Sequence, residues 1–564
     1  MDMPAKKPWL AHYPPSVAAT VDAGAHASLS ALLDEAFRQH AARVAGVCMG
    51  RELSFRDIDQ MADALGAWLQ GKGLAKGARV ALMMPNLPQY MVAIPAVLRA
   101  GCVVVNVNPL YTARELQYQL RDSGAEAIVL LENFAATLEE VIDRTPVKHV
   151  LLASMGDLLG FWKGALVNFV VRRVRKMVPG FALPLDQGRS VTRFNTALAE
   201  GMRMKLERPV LGPDDVAFLQ YTGGTTGVSK GATLLHRNVV ANVLQTEAWF
   251  KPMLDKIGAR QITCVCALPL YHIYALTLCY LMGARLGMKN LLIPNPRDLS
   301  GLVKTLSRHR IHMFPAVNTL FNALVHHAGF ARLDFSGLVV SSGGGMACQH
   351  ATAEKWLALT GCPMVEGYGL SETSPVVASN RLDLRQFSGN VGLPIPSTEI
   401  AIRDDDGRDL PFGEPGEICI RGPQVMAGYW NRPDETAQVM TPDGFLKSGD
   451  IGVMDERGYL RVVDRKKDMI LVSGFNVYPT EIEQVVNLHP GVLECAAVGV
   501  PDARSGEAVK LFVVKKDPAL DEDGVVAYCK QNFTAYKRPK RIEFRNDLPK
   551  SNLGKILRRE LRGA

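Results

Sequence analysis

Residues able to bind phosphate are concentrated in one short stretch, Tyr221-Thr222-Gly223-Gly224-Thr225-Thr226-Gly227-Val228-Ser229-Lys230-Gly231. Glycines permit sharp turns that aim backbone N–H groups at an anion, while the hydroxyls and the lysine add donors and a positive charge. The order differs from that of a P-loop, because Ser229 precedes the lysine and Gly231 follows it. The stretch therefore predicts a phosphate cradle, with a flexible polar turn as the alternative.

Other motifs with chemical potential occur further along the chain. A second glycine-rich turn, Ser341-Ser342-Gly343-Gly344-Gly345-Met346, follows an apolar run. The stretch Glu366-Gly367-Tyr368-Gly369-Leu370-Ser371-Glu372-Thr373 combines a tyrosine, two hydroxyls and two carboxylates. Each motif alone is weak, because glycines after a strand usually only form turns.

The elements that must position these motifs alternate between apolar runs and amphipathic stretches. Residues 79–83, 102–105 and 127–131 are predicted strands, and residues 89–100 and 112–120 are predicted helices. Continuous apolar strands between helices indicate a largely parallel sheet covered on both faces. Ligands of such sheets bind outside the carboxyl ends of the strands.

The pattern changes from about residue 400. Turn sequences at 404–407 and 415–416, separated by short alternating strands, predict a smaller antiparallel subdomain. Beyond the charged junction 464–468, a helical stripe near Ile482 and two apolar strands predict a small α+β domain. The fold class is therefore α/β, with a large N-terminal domain of stacked α/β subdomains, a small antiparallel β subdomain and a mobile C-terminal domain. The expected division is 1–463 and 464–564, with the junction as a hinge.

Composition narrows the class of protein further. The chain has 564 residues, of which 48% are hydrophobic and 21% charged, as in a soluble globular enzyme. Its ten cysteines include no C-x-x-C pair, so neither a zinc nor a disulfide framework is expected. No run of eighteen apolar residues and no signal peptide is evident, which favours a cytoplasmic location.

Positive charge is concentrated at the C-terminus. Residues 530–564 contain eleven Lys or Arg and three Asp or Glu, which accounts for the whole net charge of +8. Few aromatic residues are interleaved with these cations, so nucleic-acid binding is not expected and a small polyphosphate is the favoured partner.

One amphipathic segment, residues 158–178, combines apolar and aromatic residues such as Trp162 and Phe169 with five Lys or Arg. Such a segment can lie in a membrane interface, although Gly160 and Gly164 weaken a helix there. An ordinary surface helix packed on its own core is the alternative.

Taken together, the ordered motifs are specific. They are YTGGTTGVSKG, PLYHIYAL, SSGGGM, EGYGLSET, KSGD, VDRKKDMILVSGFNVYP and PKSNLGKILRREL. The sequence resembles the adenylate-forming enzymes, which include acyl-CoA synthetases and luciferase, and is most similar to bacterial long-chain-fatty-acid–CoA ligases. The resemblance spans nearly the whole chain. It implies a two-step reaction, in which a carboxylate and ATP give acyl-AMP and pyrophosphate before the thiol of coenzyme A displaces AMP.

The resemblance also implies roles for particular residues. The implied ATP-binding residues are Thr222, Gly223, Gly224, Thr225, Thr226, Gly227, Lys230, Gly343, Gly344, Gly345, Glu366, Gly367, Tyr368, Gly369, Ser371, Asp450 and Arg465. Thr222 and Glu372 are the implied Mg²⁺ contacts, because hard cations prefer oxygen ligands. Tyr368 is expected to stack on adenine and Asp450 to bind the ribose hydroxyls. Ser371 stands where the family usually has threonine and retains the hydroxyl.

Three residues are the implied catalytic group: Lys555, Glu372 and His272. Lys555 is expected to reach the α-phosphate and the attacking carboxylate. A solvated lysine in a basic tail is the alternative for Lys555, and a buried core histidine is the alternative for His272. Ser473 and Gly474 are expected to meet the pantetheine of coenzyme A after the C-terminal domain turns about Asp464.

The acid substrate is less closely determined. Apolar residues near Ile273, Leu276 and Val317 are candidates for an acyl tunnel, and Leu276 stands where some members have a tryptophan gate. A medium-chain or aryl-acid CoA ligase, a fatty acyl-AMP ligase that loads a carrier protein, and a non-catalytic membrane import partner are the alternatives. The expected small molecules are a fatty acid, ATP, Mg²⁺ and coenzyme A. Peripheral contact with the inner membrane and a homodimeric state stay open.

Overall fold

The computed structural model describes residues 7–183, 188–222, 229–502, 504–551 and 554–562. Its first strands are β1 (Val44–Cys48), β2 (Arg51–Ser54), β3 (Arg79–Met83), β4 (Val103–Asn106), β5 (Ala127–Leu131), β6 (His149–Ala153), β7 (Ser190–Arg193), β8 (Val216–Thr222), β9 (Lys230–Leu235), β10 (Thr263–Cys266), β11 (Lys289–Leu292), β12 (Met313–Ala316) and β13 (Val340–Gly343). The later strands are β14 (Met364–Gly369), β15 (Val376–Ser379), β16 (Leu393–Pro394), β17 (Glu399–Arg403), β18 (Gly416–Arg421), β19 (Gly428–Tyr429), β20 (Leu446–Met454), β21 (Leu460–Arg465), β22 (Ile470–Val472), β23 (Phe475–Val477), β24 (Val492–Asp502), β25 (Gly506–Lys515) and β26 (Arg541–Arg545).

Helices lie between these strands throughout the chain. They are α1 (Leu29–Gln39), α2 (Phe55–Gly71), α3 (Pro88–Arg99), α4 (Ala113–Ser123), α5 (Ala135–Glu139), α6 (Phe161–Phe169), α7 (Phe194–Gly201), α8 (His236–Leu254), α9 (Ile273–Ala275), α10 (Met282–Arg285), α11 (Leu299–Leu306), α12 (Asn318–Val325), α13 (His350–Thr360), α14 (Pro433–Val439), α15 (Pro479–Val486), α16 (Glu522–Asn532) and α17 (Arg558–Arg562). Local sequence explains several boundaries. Thr112 and Glu115, for example, form a reciprocal capping box at the start of α4, which contributes about 1 kcal/mol to helix stability.

The first large sheet has eight strands in the order β19-β9-β8-β4-β3-β5-β6-β7. The pairs from β8 through β4, β3, β5 and β6 to β7 are parallel. Every residue of β4 and β5 is buried, as expected for strands covered by helices on both faces. At the other edge β8, β9 and β19 are antiparallel. The predicted phosphate cradle joins β8 to β9 at this edge.

The second large sheet has nine strands in the order β16-β15-β14-β13-β12-β10-β11-β1-β2. Strands β10 to β14 and β1 form its parallel part. Because parallel strands end at the same edge, the segments after β10, β12, β13 and β14 lie side by side. These segments carry the motifs around His272, Val317, Gly343 and Tyr368.

Two smaller sheets complete the fold. Strands β17, β18, β20 and β21 form the antiparallel sheet that the turn sequences predicted. The C-terminal sheet has the order β23-β22-β25-β24, with β26 parallel to β25. Helices α15 and α17 pack on β24, and α15 also contacts α16. The predicted α/β class, with a large N-terminal and a small C-terminal domain, is confirmed.

The amphipathic segment forms helix α6 and continues as a π-helix, Val170–Val174. Its large apolar side chains project outward, and Trp162 and Phe161 are 83% and 79% exposed. Arg172 binds the buried Glu132 through two hydrogen bonds of 2.8 and 2.9 Å and ties the segment to the domain. The segment therefore differs from the alternative of a helix packed on its own core. Within the residues described above, no helix combines the length and apolar character needed to cross a bilayer.

Candidate active site

The two ends of the predicted phosphate cradle face each other across an antiparallel strand pair. Thr222 ends β8, Lys230 begins β9, and the two residues are paired partners. The Ser229 hydroxyl donates to the Thr222 carbonyl at 2.5 Å and closes the hairpin. Gly223, Gly224, Thr225, Thr226 and Gly227 lie outside the described residues. The pairing of Thr222 with Lys230 therefore defines the two ends of the predicted cradle.

Glu372 lies beside this hairpin, in a short 3₁₀ turn formed by Ser371–Thr373 that contacts β8 and β9. The hydroxyl of Tyr429 donates to Glu372 Oε1 at 2.8 Å. Lys230 forms an ion pair with Glu435, and its ammonium lies 5.1 Å from the centre of the Tyr429 ring. The predicted phosphate and metal residues are therefore neighbours, although they are about 140 residues apart in the sequence.

The donor set fits Mg²⁺ held together with phosphate. Glu372 offers a carboxylate and Thr222 a hydroxyl, both hard oxygen ligands. Among the described residues, no group of three His, Cys, Asp or Glu side chains could hold a metal ion. Mg²⁺ usually binds through one or two protein oxygens and substrate phosphates, so the sparse protein contribution suits this ion.

The second glycine turn lies at the carboxyl end of β13. Gly343 ends the strand, and Gly345 adopts φ +76°, which favours glycine. A Cβ on Gly344 would lie 3.0 Å from the ring of Tyr274. The Tyr274 hydroxyl is hydrogen-bonded to the Ser342 carbonyl and hydroxyl at 3.1 and 3.0 Å. Tyr274 therefore packs directly on the glycine turn.

Strand β14 lies next to this turn, and Gly343 pairs with Glu366. The Glu366 carboxylate accepts a hydrogen bond of 2.8 Å from the Cys348 N–H, and its burial raises the pKa to about 7. Further along β14, a Cβ on Gly369 would lie 2.0 Å from the Pro375 carbonyl, so only glycine fits there. Gly367 pairs with the antiparallel strand β15.

His272 stands at the start of α9, where its Nδ1 accepts a hydrogen bond from the Tyr274 N–H at 3.3 Å. Burial lowers the pKa of His272 to about 4, so the imidazole is neutral near pH 7. Its location next to Tyr274 places it beside the glycine turn. A neutral ring in this position can accept or donate a hydrogen bond but carries no charge.

Tyr368, Asp450 and Arg465 converge from three strands. Tyr368 donates to Asp450 Oδ2 at 2.6 Å, and Arg465 Nε binds Asp450 Oδ1 at 2.8 Å. Asp450 is buried, and burial raises its pKa while the charge of Arg465 opposes this effect. A carboxylate can accept about four hydrogen bonds, so Asp450 retains capacity for ligand hydroxyls.

Lys555 belongs to a tight loop that faces the N-terminal domain. Its N–H donates to the Ser551 hydroxyl at 3.1 Å, and the preceding Gly554 has φ +77°. A Cβ on Gly554 would lie 2.4 Å from Thr319 Oγ1 at the start of α12. Glycine thus allows the loop to approach the carboxyl edge of the nine-stranded sheet.

The charge on Lys555 responds to this environment. The side chain keeps contact with solvent. Partial loss of water around its ammonium and, to a smaller extent, the positive charge of Arg465 lower the pKa of Lys555 to about 8, while Asp450 opposes the shift. The structure therefore brings the C-terminal lysine to the Asp450–Arg465 pair.

Ser473 and Gly474 are located elsewhere, at the tip of the β22–β23 hairpin. Both have positive φ, +50° and +85°. The flanking Leu471 and Phe475 are about half exposed, and Phe475 stacks on Tyr536 with ring centres 4.6 Å apart. This hairpin is consequently an exposed apolar face of the C-terminal domain.

Asp464, at the predicted junction between the domains, is almost fully buried. Its Oδ2 accepts from the Thr480 N–H at 2.7 Å, and its Oδ1 accepts from Arg558 at 2.9 Å. Arg558 also binds Glu483 through two hydrogen bonds of 3.0 and 2.6 Å. The junction is thus tied to the segment that carries Lys555, three residues earlier.

Comparison with known proteins decides the family. The family model described as AMP-binding enzyme matches residues 33–430, and the model of the AMP-binding enzyme C-terminal domain matches residues 481–555. The chain belongs to the AMP-binding enzyme family. The resemblance to adenylate-forming enzymes predicted from the motifs is therefore confirmed.

Similar AMP-binding enzymes cover nearly the whole chain. The long-chain-fatty-acid–CoA ligase of Escherichia coli O6:H1 is 54% identical over 99% of this chain and 98% of its own length. That of Haemophilus influenzae is 50% identical with the same coverage. A crystal structure of the anthranilate CoA ligase AuaEII in complex with anthranoyl-AMP has a TM-score of 0.83 at 25% identity, covering 96% of this chain and 98% of that one.

Four residues around the site carry no prediction from the motifs: Tyr274, Tyr429, Glu435 and Arg558. Tyr274 lies within the PLYHIYAL motif, two residues after His272, so the motif could have predicted that Tyr274 belongs to the site. Tyr429 belongs to a separate Gly-Tyr-Trp segment, whose pairing with β9 has no local sequence signature. Glu435 lies in α14, the helix that follows this segment. Arg558 lies in the basic tail, where a surface role is the default expectation.

Proposed function

We propose that this protein is an ATP-dependent long-chain-fatty-acid–CoA ligase that forms an acyl-adenylate and then an acyl-CoA. The observation that carries the proposal is the Asp450–Arg465 pair, to which the charge of Lys555 from the C-terminal domain is electrostatically coupled. Full-length similarity to ligases of this class supports the acid substrate. A carboxylate that attacks a phosphate needs charge neutralisation and positioning more than a nucleophilic side chain.

In this proposal, different residues bind the phosphates, the ribose and the adenine of ATP. Thr222 and Lys230 hold the phosphates, and Asp450 accepts hydrogen bonds from the ribose hydroxyls. The ring of Tyr368 is available to adenine, since its hydroxyl is occupied by Asp450. Glu372 and Thr222 would hold Mg²⁺, which would supply positive charge to neutralise the phosphates.

Lys555 supplies the charge for the adenylation step. With a pKa of about 8 it is mostly protonated at pH 7, so its ammonium can orient the attacking carboxylate and stabilise negative charge that develops on the α-phosphate oxygens. A group of this kind lowers the barrier when its interaction is stronger in the transition state than in the ground state.

The domain boundary at residue 464 and the hinge role of Asp464 are further parts of the proposal. Rotation there would withdraw Lys555 and present the exposed hairpin tip, Ser473 and Gly474, to the pantetheine arm of coenzyme A. The half-exposed Leu471 and Phe475 support this role, because exposed apolar side chains often mark a face that docks elsewhere.

We propose that the fatty acid binds next to the glycine turn at residues 343–345. Ile273, Leu276 and Val317 are buried apolar residues at the carboxyl edge of the nine-stranded sheet. His272 lies at the start of α9, directly before Ile273. Buried apolar walls suit an alkyl chain better than a polar acid. The neutral imidazole suits a hydrogen bond near the carboxyl end of the substrate.

The decisive test is an ATP–pyrophosphate exchange assay across hexanoate, palmitate and a coumarate-like acid. We expect the highest kcat/KM with palmitate. Preference for the coumarate-like acid or hexanoate would favour an aryl-acid or medium-chain ligase. AMP release that does not depend on coenzyme A would favour an acyl-AMP ligase, and no exchange with any acid would favour a non-catalytic import partner.

We also propose that the protein is cytoplasmic and attaches peripherally to the membrane through residues 158–178. The segment exposes the apolar side chains of Phe161, Trp162, Leu166, Phe169, Val174 and Met177. Arg173, Arg175 and Lys176 are also exposed, and they would attract anionic lipid.

Sedimentation with anionic phospholipid vesicles tests the attachment. We expect the double variant Trp162→Glu and Phe169→Glu to lose most vesicle binding. Val210→Glu is the matched control, because Val210 is 90% exposed outside this segment. Equal binding by all three proteins would contradict the proposal. A homodimer remains a separate prediction, which light scattering of the purified protein would check.

A further inference from the structure

A short strand, β19, places an unassigned tyrosine against the phosphate-binding hairpin. Gly428 and Tyr429 pair with Thr233 and Ala232 of β9. Gly428 has φ +148°, and a Cβ there would lie 2.8 Å from Thr436 Cγ2. The Thr436 hydroxyl in turn accepts from the Tyr429 N–H at 2.9 Å. The backbone of Tyr429 is therefore held on both sides.

The hydroxyl of Tyr429 is bound to the carboxylate proposed for Mg²⁺. It donates to Glu372 Oε1 at 2.8 Å, and the Met426 N–H donates to the Glu372 carbonyl at 2.8 Å. An ionised carboxylate can only accept hydrogen bonds, so the phenol is the donor in this pair. Hydrogen bonds to charged groups are stronger than neutral ones, and this one restricts the rotation of the carboxylate.

The ring of Tyr429 is in contact with the lysine proposed for the phosphates. Tyr429 lies opposite Ala232, so Lys230, two residues earlier on β9, is its diagonal neighbour on the same face. The Lys230 ammonium lies 5.1 Å from the ring centre, within the range of a cation–π interaction. Glu435, six residues after Tyr429, forms an ion pair with the same ammonium.

We propose that Tyr429 is a positioning residue for the activation of ATP. Its hydroxyl orients Glu372, and its ring supports Lys230. One side chain thereby fixes the negative group that receives Mg²⁺ and the positive group that receives phosphate. This inference rests on the proposed function, because that function assigns the metal to Glu372 and the phosphates to Lys230.

The two contacts can be separated by substitution. Tyr429→Phe removes the hydroxyl and keeps the ring, so it tests the link to Glu372 alone. Tyr429→Leu removes both the hydroxyl and the aromatic face. Tyr13→Phe is the matched control, because the Tyr13 hydroxyl donates to the Pro394 carbonyl at 2.5 Å and belongs to no part of the proposed site.

The experiment measures ATP binding by calorimetry without a fatty acid, with and without Mg²⁺, so that no turnover occurs. We expect Tyr429→Phe to reduce the Mg²⁺-dependent gain in affinity by about tenfold, as for loss of one charge-assisted hydrogen bond, and to leave Mg²⁺-free binding within twofold. Tyr429→Leu should also weaken Mg²⁺-free binding several-fold. The Tyr13→Phe control should match the wild-type protein in both measurements.

Acyl-AMP formation and thioester formation from supplied acyl-AMP give a second readout. Tyr429→Phe should raise the Mg²⁺ concentration for half-maximal acyl-AMP formation and spare thioester formation. An unchanged Mg²⁺ dependence, or equal losses in both half-reactions, would overturn the proposal.

Failure of the proposed function can be told apart from failure of this inference. Mg²⁺-dependent ATP binding without turnover of any fatty acid would refute only the acid substrate. Absence of ATP binding in the wild-type protein would refute both.

Discussion

Removal of the Lys555 ammonium should affect one half-reaction far more than the other. Lys555 is electrostatically coupled to Asp450 and Arg465, whereas Ser473 and Gly474, proposed for the thioester step, lie in a separate hairpin between β22 and β23. A unit charge about 4 Å from a phosphoryl oxygen contributes about 4 kcal/mol at an effective dielectric constant of about 20. This corresponds to about three decades in rate if the interaction forms only in the transition state. For Lys555→Ala we therefore expect a loss of about 10²- to 10³-fold in acyl-AMP formation.

The assay follows pyrophosphate release for the first half-reaction and acyl-CoA formation from supplied acyl-AMP for the second. We expect Lys555→Ala to keep the second rate within about twofold of the wild-type rate. Lys550→Ala is the control, because Lys550 lies in the same region but is bound to Glu494 and Asp547 at 2.7 and 2.8 Å. Equal losses in the two half-reactions would refute the assignment of Lys555.

The pH dependence provides an independent check on the same residue. The pKa of about 8 belongs to the unliganded protein, so it should be reflected in kcat/KM rather than in kcat. As the pH rises through about 8, the ammonium loses its proton and kcat/KM for acyl-AMP formation should fall. Lys555→Arg keeps its charge and should lack this decline, whatever its absolute rate. A decline that persists in Lys555→Arg would assign the titration to another group.

Two more predictions follow from buried carboxylates. Asp450→Asn leaves Arg465 without its counter-charge and removes an acceptor for ribose, so the KM for ATP should rise about tenfold while the KM for the fatty acid changes little; equal changes in both constants would contradict this role. Glu366 has a pKa of about 7 when folded, so between pH 4.5 and 7 the unfolded state ionises first and the free energy of unfolding should fall as the pH rises, by up to about 3 kcal/mol in total. Glu366→Gln should flatten this part of the plot of Tm against pH, and an unchanged slope would count against the assignment.

The local patterns predicted the central strands and helices closely, because burial and capping are encoded in adjacent residues. Strand β5 has the predicted bounds, and α4 begins directly after its capping residue Thr112. The contacts of Tyr429 could not be predicted from the sequence, because β19 has only two residues and pairs with a strand almost 200 positions earlier. The partner of Lys230 was missed for the same reason. Sequence motifs name the residues proposed to bind ATP, but the side chains that position those residues come from distant pairings.

The basic C-terminal residues have a different role in the structure from the one that their composition predicted. Eleven basic residues in 530–564 indicated a surface for a polyphosphate, yet most of the described ones bind acids of their own domain. The ion-paired cations are Lys537, Lys540, Arg545, Lys550, Arg558 and Arg562. Arg558 joins the buried carboxylates of Asp464 and Glu483, and removal of one partner from such a group usually costs about 3–5 kcal/mol. Most cations of the tail therefore form ion pairs within the C-terminal part of the chain, and Lys555 is the cation proposed to act on ATP.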